Sequence, residues 1–247
     1  MAQRWRMRTA ESKIRRRCQH AGRACSLTAT VWLRLRTACA TSLLPLVLLV
    51  ALTLPAAVQA QFTYTTNNGT ITITGYTGSG GAVSIPITIN GRTVRSIGIN
   101  AFASRSNLIS VTIPNSITNI GNTAFYRCDG LTGVTIPSSI SSIGDRAFSR
   151  CTKLIAINVD ALNSAYSSVG GVLFNKDQFT LIQYPTGKTG SYIVPSSVAN
   201  IGDFAFHYCV GLSNVMIPNG VVSIGKSAFR RCFGLNEMII PTSVTTI

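Results

Sequence analysis

The stretch SSISSIGDRAFSRCTKLIAINV, residues 138–159, decides how the rest of the chain is read. Its skeleton is I-G-x-x-A-F-x-x-C-x-x-L-x-x-V-x-I-P. It occurs as Ile120-Gly121, Ala124-Phe125, Cys128, Leu131, Val134 and Ile136-Pro137, and again as Ile143-Gly144, Ala147-Phe148, Cys151, Leu154, Ile157 and Val159. It returns over 201–218 and 224–241. The marker phenylalanine stands at 102, 125, 148, 206 and 229, a step of 23 residues except for one interval of 58. A fixed step of this size signals a solenoid, in which each coil contacts only its neighbours. The predicted fold class is an α/β repeat, β-rich overall: a solenoid of parallel β-strands joined by short helical or turn segments.

Within a coil, Ile-Pro at 85–86, 113–114, 136–137, 217–218 and 240–241, with Val194-Pro195 in the same role, marks the exit of a short strand, because proline has no N–H to continue the pairing. Strands are expected near 83–85, 111–113, 134–136, 157–159, 192–194, 215–217 and 238–240, stacked in parallel. After each proline a second extended piece, such as 116–120, crosses to the opposite side. Gly121, Gly144, Gly202 and Gly225 then turn the chain. Asn122, Asp145 and Asp203 follow as N-caps of a short helical segment whose Ala and Phe face inward, and Lys226 departs from that pattern.

The flanks of the repeat differ from it. Residues 61–82 are assigned to a cap: 62–81 alternates polar and β-forming residues about Asn67-Asn68-Gly69, a hairpin signature. A solenoid end needs such a unit, because it exposes a strand edge and a slice of core. Asn68-Gly69-Thr70 also matches a glycosylation sequon, which the turn explains. The solenoid itself is assigned to 83–247. Its interval of 58 holds an enlarged coil over about 160–195, where 170–174, the polar 175–178 and 179–185 read as a hairpin replacing the helical segment. That hairpin is expected to project from the stack. The stop at Ile247 falls in mid-repeat and reads as truncation.

The net charge of +15 needs dividing before it is interpreted. Residues 1–60 hold ten of the 22 basic residues and one of the seven acidic ones. The basic character is therefore mostly a property of this leader and gives no support to nucleic-acid binding. A basic start, the apolar run Leu43–Leu54 broken by Pro45 and Thr53, and the small residues of 56–60 form the three parts of a secretion signal. Cleavage is placed between Ala60 and Gln61, which makes the product secreted or cell-surface. The alternative is an uncleaved anchor, since 37–60 carries no charge and is long enough to span a bilayer; the leader is then the only membrane contact.

Three of the seven cysteines lie in the leader, and Cys128, Cys151, Cys209 and Cys232 share one repeat position. An even number in an exported chain invites a disulfide reading. The same small residue at the same slot in successive coils is, however, what an interior column requires. Buried thiols are the expectation.

These residues resemble the leucine-rich repeats of the BspA type, a family of bacterial and protozoan surface proteins. The likeness covers 83–247 and extends to the enlarged coil, through Asn163-Ser164-Ala165-Tyr166, 171–176 and Tyr184-Pro185-x-Gly187-Lys188. Arg105, where cysteine is expected in the first coil, departs from the pattern. The resemblance implies a curved leucine-rich-repeat solenoid and roles in adhesion or in binding host and matrix proteins. It brings no catalytic residues.

Chemistry is sparse. The one histidine outside the leader is His207, between Phe206 and Tyr208, and reads as structural. Asp145 and Asp203, two coils or about 9.5 Å apart by the strand spacing, are the best candidates for the paired carboxylates of a glycosidase. Both stand at cap positions with no evident cleft. Gly78-x-Gly80-Gly81 lacks the strand-to-helix context of a phosphate loop. No catalytic, cofactor-binding or metal residue is assigned, and no cofactor is expected.

What remains is surface. In each V-x-I strand the middle residue points out, giving the column Ser84, Thr112, Thr135, Asn158, Ile193, Met216, Ile239, polar at first and apolar at the end. A second, basic column comprises Arg127, Arg150 and Arg231 with Arg230 beside it. The leading functional reading is a non-enzymatic secreted or cell-surface binding scaffold for a protein or a glycan. An envelope or matrix component that self-associates through an open C-terminal end is the alternative, and a carbohydrate-active enzyme comes third.

Overall fold

The computed structural model describes residues 61–247; the secretion signal and cleavage point expected from sequence fall outside the described residues. A hairpin opens the fold. Its strands β1 (Phe62–Asn67) and β2 (Thr70–Tyr76) turn through Asn68 and Gly69, whose positive φ values of 46° and 74° suit asparagine and glycine. β3 (Gly81–Ser84) follows, then a second hairpin of β4 (Thr88–Ile89) and β5 (Arg92–Ile97) about Asn90-Gly91. The coils proper alternate a wall strand with a two-residue strand on the opposite wall: β6 (Leu108–Thr112), β7 (Asn119–Ile120), β8 (Gly133–Ile136), β9 (Ser142–Ile143) and β10 (Ala156–Val159). The enlarged coil supplies β11 (Tyr166–Val169), β12 (Val172–Asn175) and β13 (Thr180–Gln183). The pattern then resumes with β14 (Gly190–Ile193), β15 (Asn200–Ile201), β16 (Leu212–Met216), β17 (Ser223–Ile224) and β18 (Glu237–Ile239).

The strands form two walls. One is β3-β6-β8-β10, all parallel, and the other is β1-β2-β5-β7-β9, with only β1 antiparallel along that path. Past the enlarged coil the walls restart as β14-β16-β18 and as β11-β12-β13-β15-β17. The seven expected wall strands are all present, but as sheets of four and three instead of one stack. Along them Val111, Ile113, Val134, Ile136, Val215 and Ile217 are buried while the residue between each pair is exposed. Pro114, Pro137, Pro195, Pro218 and Pro241 each open a turn at the wall's end, the carbonyl accepting from the N–H three residues on, as Pro114 does from Ile117 at 3.1 Å.

The third side, read from sequence as short helical segments, is built of turns. Ala124, Tyr126 and Cys128 donate within the coil to Gly121, Thr123 and Phe125, three residues back, at 3.0 to 3.2 Å. The alternate N–H groups of Thr123, Phe125 and Arg127 donate to Asp145, Ala147 and Ser149 of the next coil, at 2.8 to 3.1 Å. An α-helix about 10–12 Å across cannot repeat at the strand spacing of about 4.8 Å, whereas a flat run of turns can. The arrangement holds Thr123, Arg127, Arg146 and Arg150 at positive φ, from 54° to 61°. The cap residues accordingly serve their neighbours: Asn122 Oδ1 accepts from the Asp145 N–H at 3.0 Å, and Asp203 Oδ1 from the Lys226 N–H at 2.8 Å. The repeat glycine is required by this contact. A Cβ on Gly144 would stand 2.5 Å from the Asn122 nitrogen, and one on Gly225 2.6 Å from the Asp203 nitrogen.

Inside, the marker aromatics stack. Phe102–Phe125 and Phe125–Phe148 have ring centroids 4.9 and 5.3 Å apart, and Phe206–Phe229 4.8 Å. Phe62 and Tyr76 of the first hairpin continue this stack onto Phe102. Offset aromatic pairs contribute about 0.5–1.5 kcal/mol each beyond the area they bury.

The enlarged coil does not project, which corrects the expectation from sequence. β12 is apolar at three successive positions, with Val172, Leu173 and Phe174 at most 1% exposed, and a hairpin standing clear of the stack would leave one of its faces in water. Leu173 packs with the core that runs from Phe62 to Ile157, while Val172 and Phe174 pack with the core that runs to Ala228. The strand is a partition between two apolar cores. Its coil also closes the first walls, since Ile157 donates to the Gly171 carbonyl (2.8 Å) and Ile143 to the Tyr166 hydroxyl (2.9 Å).

Candidate functional site

Two outer surfaces carry the residues singled out from sequence. On the wall, parallel register pairs Ser84 with Thr112 and Thr135 with Asn158, then Ile193 with Met216 and Met216 with Ile239. All seven side chains are exposed. The partition separates the polar group from the apolar one, so they belong to different sheets. Ile193, Met216 and Ile239, at 67%, 61% and 72% exposure, form a three-rung apolar ridge. A shallow cavity of about 210 Å³ lies along it, lined by Asn214, Met216, Glu237 and Ile239.

The basic column lies on the turn side, and the structure explains its spacing: Arg127, Arg150 and Arg231 all occupy the second positive-φ position of their coils, with Tyr208 at that same position in the coil between. Arg150 donates to the Tyr126 hydroxyl at 3.3 Å, and its Cζ lies 5.8 Å from the Tyr126 ring and 3.9 Å from the ring of Tyr208. Arg231 reaches Tyr208 from the other direction in sequence, 5.1 Å from the ring centroid, and donates to its hydroxyl. Arg146, which sequence reasoning passed over, stacks 4.7 Å over Phe204. Arg127 and Arg230 are exposed. The stacking spans the enlarged coil, whose 183–186 segment is buried.

His207 sits beneath these arginines, 5% exposed, with Nδ1 lacking a hydrogen-bond partner. Burial first, and then the charges of Arg146, Arg230, Arg231 and Arg150, push its pKa down to about 4. Asp203 spends a carboxylate oxygen on the Lys226 N–H, and Asp145 is exposed on the same turn side. Among the described residues no group of three or more His, Cys, Asp and Glu is placed to hold a metal ion.

The four repeat cysteines are free; Cys128, Cys151 and Cys209 are buried and Cys232 half-buried. The thiols of Cys128, Cys151 and Cys232 donate to the carbonyls of Phe102, Phe125 and Phe206 at 3.0 to 3.1 Å. The Cys128 thiol and burial together hold the Cys151 thiol well above the usual range, and burial does the same for Cys209.

One feature escaped sequence reasoning. The two hairpins enclose a groove of about 360 Å³ lined by Tyr64, Thr66, Ile71, Ile89, Asn90 and Arg92, in which Asn90 donates to the Tyr64 hydroxyl at 2.8 Å. The signal was present: Asn90-Gly91 is the same two-residue turn signature as Asn68-Gly69.

Coils of fixed step, parallel wall strands and a shared column of Ile, Phe, Cys and Leu define a leucine-rich-repeat solenoid. The family model described as BspA type Leucine rich repeat region matches in 6 copies, over residues 82–191 and 184–247. The chain belongs to that family. Among solved structures it is similar to a T. pallidum leucine rich repeat protein, at 28% identity over 76% of this chain and 83% of that one, with a TM-score of 0.52. It is also similar to the pneumococcal vaccine antigen PcpA, at 20% identity over 74% and 69% of the two chains, with a TM-score of 0.49. No curated protein matches the chain.

Proposed function

We propose that this protein is a non-enzymatic binding scaffold, secreted or displayed at a cell surface, that engages a protein or glycan ligand through the outer walls of its solenoid. The observation that carries this reading is the ridge of Ile193, Met216 and Ile239, three large apolar side chains held in register on one wall with Val194, Val215 and Ile217 buried behind them. Contiguous exposed apolar side chains on a rigid sheet support an interaction surface, and the mechanism is rigid display with no covalent step. Membership of the BspA-type family supports the surface location. The test is binding of the chain to purified extracellular-matrix proteins and glycans by surface plasmon resonance, repeated with Met216→Asp. A ligand whose affinity falls at least tenfold in the variant supports the reading; a panel without a ligand, or a ligand indifferent to Met216, contradicts it.

A further inference from the structure

We propose that the turn side above the enlarged coil is a binding site for a sulfated or carboxylated glycan, held by the guanidinium groups of Arg146, Arg150, Arg230 and Arg231. The inference deepens the scaffold reading but uses a surface separate from the Ile193–Met216–Ile239 ridge.

Three features of the geometry carry it. The first is convergence. Arg150 and Arg231 lie within 5.1 Å of one ring, that of Tyr208; Tyr208 is 5.2 Å from the His207 ring; and His207 is 5.8 Å from the Phe204 ring that Arg146 covers. Arg230 is the residue before Arg231, and its backbone carbonyl accepts from the Tyr208 N–H at 3.0 Å.

The second is donor availability. A guanidinium lying on a ring uses its π face there and keeps its five N–H donors in plane for a planar or tetrahedral oxyanion. Among the described residues, the side-chain hydrogen bonds that these guanidiniums donate go to the hydroxyls of Tyr126 and Tyr208. None of these hydrogen bonds goes to a carboxylate. Asp129 is the acidic group that acts on Arg150, and its carboxylate also accepts from Thr152 at 3.2 Å.

The third is the buried centre. His207 is 95% shielded, with Nδ1 unpartnered, beneath the arginine charges that help keep it neutral. The four arginines impose a positive potential there, which Asp129 offsets in part at Arg150 and which a bound anion would relieve.

The same geometry argues for an acidic glycan over single-stranded nucleic acid. Bases bind such surfaces by stacking on free aromatic faces. Here the rings of Phe204, Tyr126 and Tyr208 already carry guanidiniums. The available contacts are edge-on hydrogen bonds to oxyanions.

The experiment is arginine footprinting of the full chain with phenylglyoxal, mapped by mass spectrometry, with and without a heparin-derived decasaccharide. Because each residue is read separately, the arginines of residues 1–60 do not obscure the result. Protection of Arg146, Arg150, Arg230 and Arg231 is expected, with Arg92 and Arg95 modified as before and protection lost at 1 M salt. Arg146→Gln combined with Arg230→Gln is expected to raise the concentration for half-protection of Arg150 and Arg231 at least tenfold, while Arg92→Gln with Arg95→Gln leaves it unchanged. A far-ultraviolet dichroism spectrum identical to that of the unmodified chain shows that each variant is folded. The proposal is overturned if the four arginines stay as reactive with the decasaccharide as without it. It is equally overturned if an oligodeoxythymidylate or vesicles containing phosphatidylserine protect them as well as the glycan does.

Discussion

The Arg150 guanidinium carbon lies 3.9 Å from the ring centroid of Tyr208, although the enlarged coil separates the two in sequence. Contacts between successive coils are the rule in a solenoid, and this one skips a coil. It joins the two halves on either side of the partition. Arg150→Ala is expected to lower unfolding stability by about 1–2 kcal/mol, and a double-mutant cycle with Tyr208→Ala to show a coupling of about 0.5–2 kcal/mol in urea unfolding. A coupling near zero would mean the stack contributes nothing.

His207 makes stability depend on pH. Its folded pKa of about 4 lies below its ordinary 6.5, so between these values the unfolded chain binds a proton that the folded chain excludes. This contribution is expected to be fully present above about pH 6.5 and lost as pH falls towards 4, by on the order of 2 kcal/mol after allowance for solvent screening. His207→Gln should flatten that part of the profile, measured as urea midpoints from pH 4 to 7.

Asn163 anchors the start of the enlarged coil. It is fully buried; Nδ2 donates to the carbonyls of Pro137 and Ile140 at 2.8 and 2.9 Å, and Oδ1 accepts from the N–H groups of Ala165 and Tyr166 at 2.8 Å each. Asn163→Ala removes four hydrogen bonds, leaving the Ile140 carbonyl and the half-buried Ala165 and Tyr166 N–H groups without that partner while the Pro137 carbonyl keeps the Ile140 N–H at 3.3 Å, and a loss of about 2–4 kcal/mol is expected by chemical unfolding. A loss below about 1 kcal/mol would show that water replaces the side chain.

Two glycines should differ sharply in their response to the same substitution. A Cβ on Gly144 would meet the Asn122 nitrogen at 2.5 Å and the Gly121 carbonyl carbon at 2.8 Å, whereas one on Gly133 would meet only the Ala156 oxygen at 3.7 Å. Gly144→Ala is therefore expected to lower the melting temperature sharply, by about 2 kcal/mol or more in stability, and Gly133→Ala to change stability by less than about 1 kcal/mol.

The repeat frame made the solenoid, its wall strands and the outward column legible, because V-x-I alternation and the Phe step are local signals with one structural meaning. The third side was less so. Whether the Gly121–Cys128 segment coils as a helix or lies flat as turns depends on the spacing of the coils above and below, which no single repeat encodes. The partition is less legible for a related reason: Val172-Leu173-Phe174 is a continuous apolar run, the mark of a strand buried on both faces, but the polar turn at 175–178 beside it equally fits a hairpin that projects. Of the basic column, Arg127, Arg150 and Arg231 were legible as a repeat position. Arg146 was not, since its partner Phe204 lies across the enlarged coil.

The solenoid depends on coils that bond to one another on all sides, and the turn side tests this most directly. A long-range HNCO spectrum detects scalar coupling across individual hydrogen bonds. Couplings from the Phe102, Phe125 and Phe206 amides to the Ala124, Ala147 and Ala228 carbonyls of the following coils are expected, matching bonds of 2.7 to 2.8 Å. Couplings from those amides to carbonyls four residues back in the same coil would show helices in their place and contradict the stacked-turn solenoid.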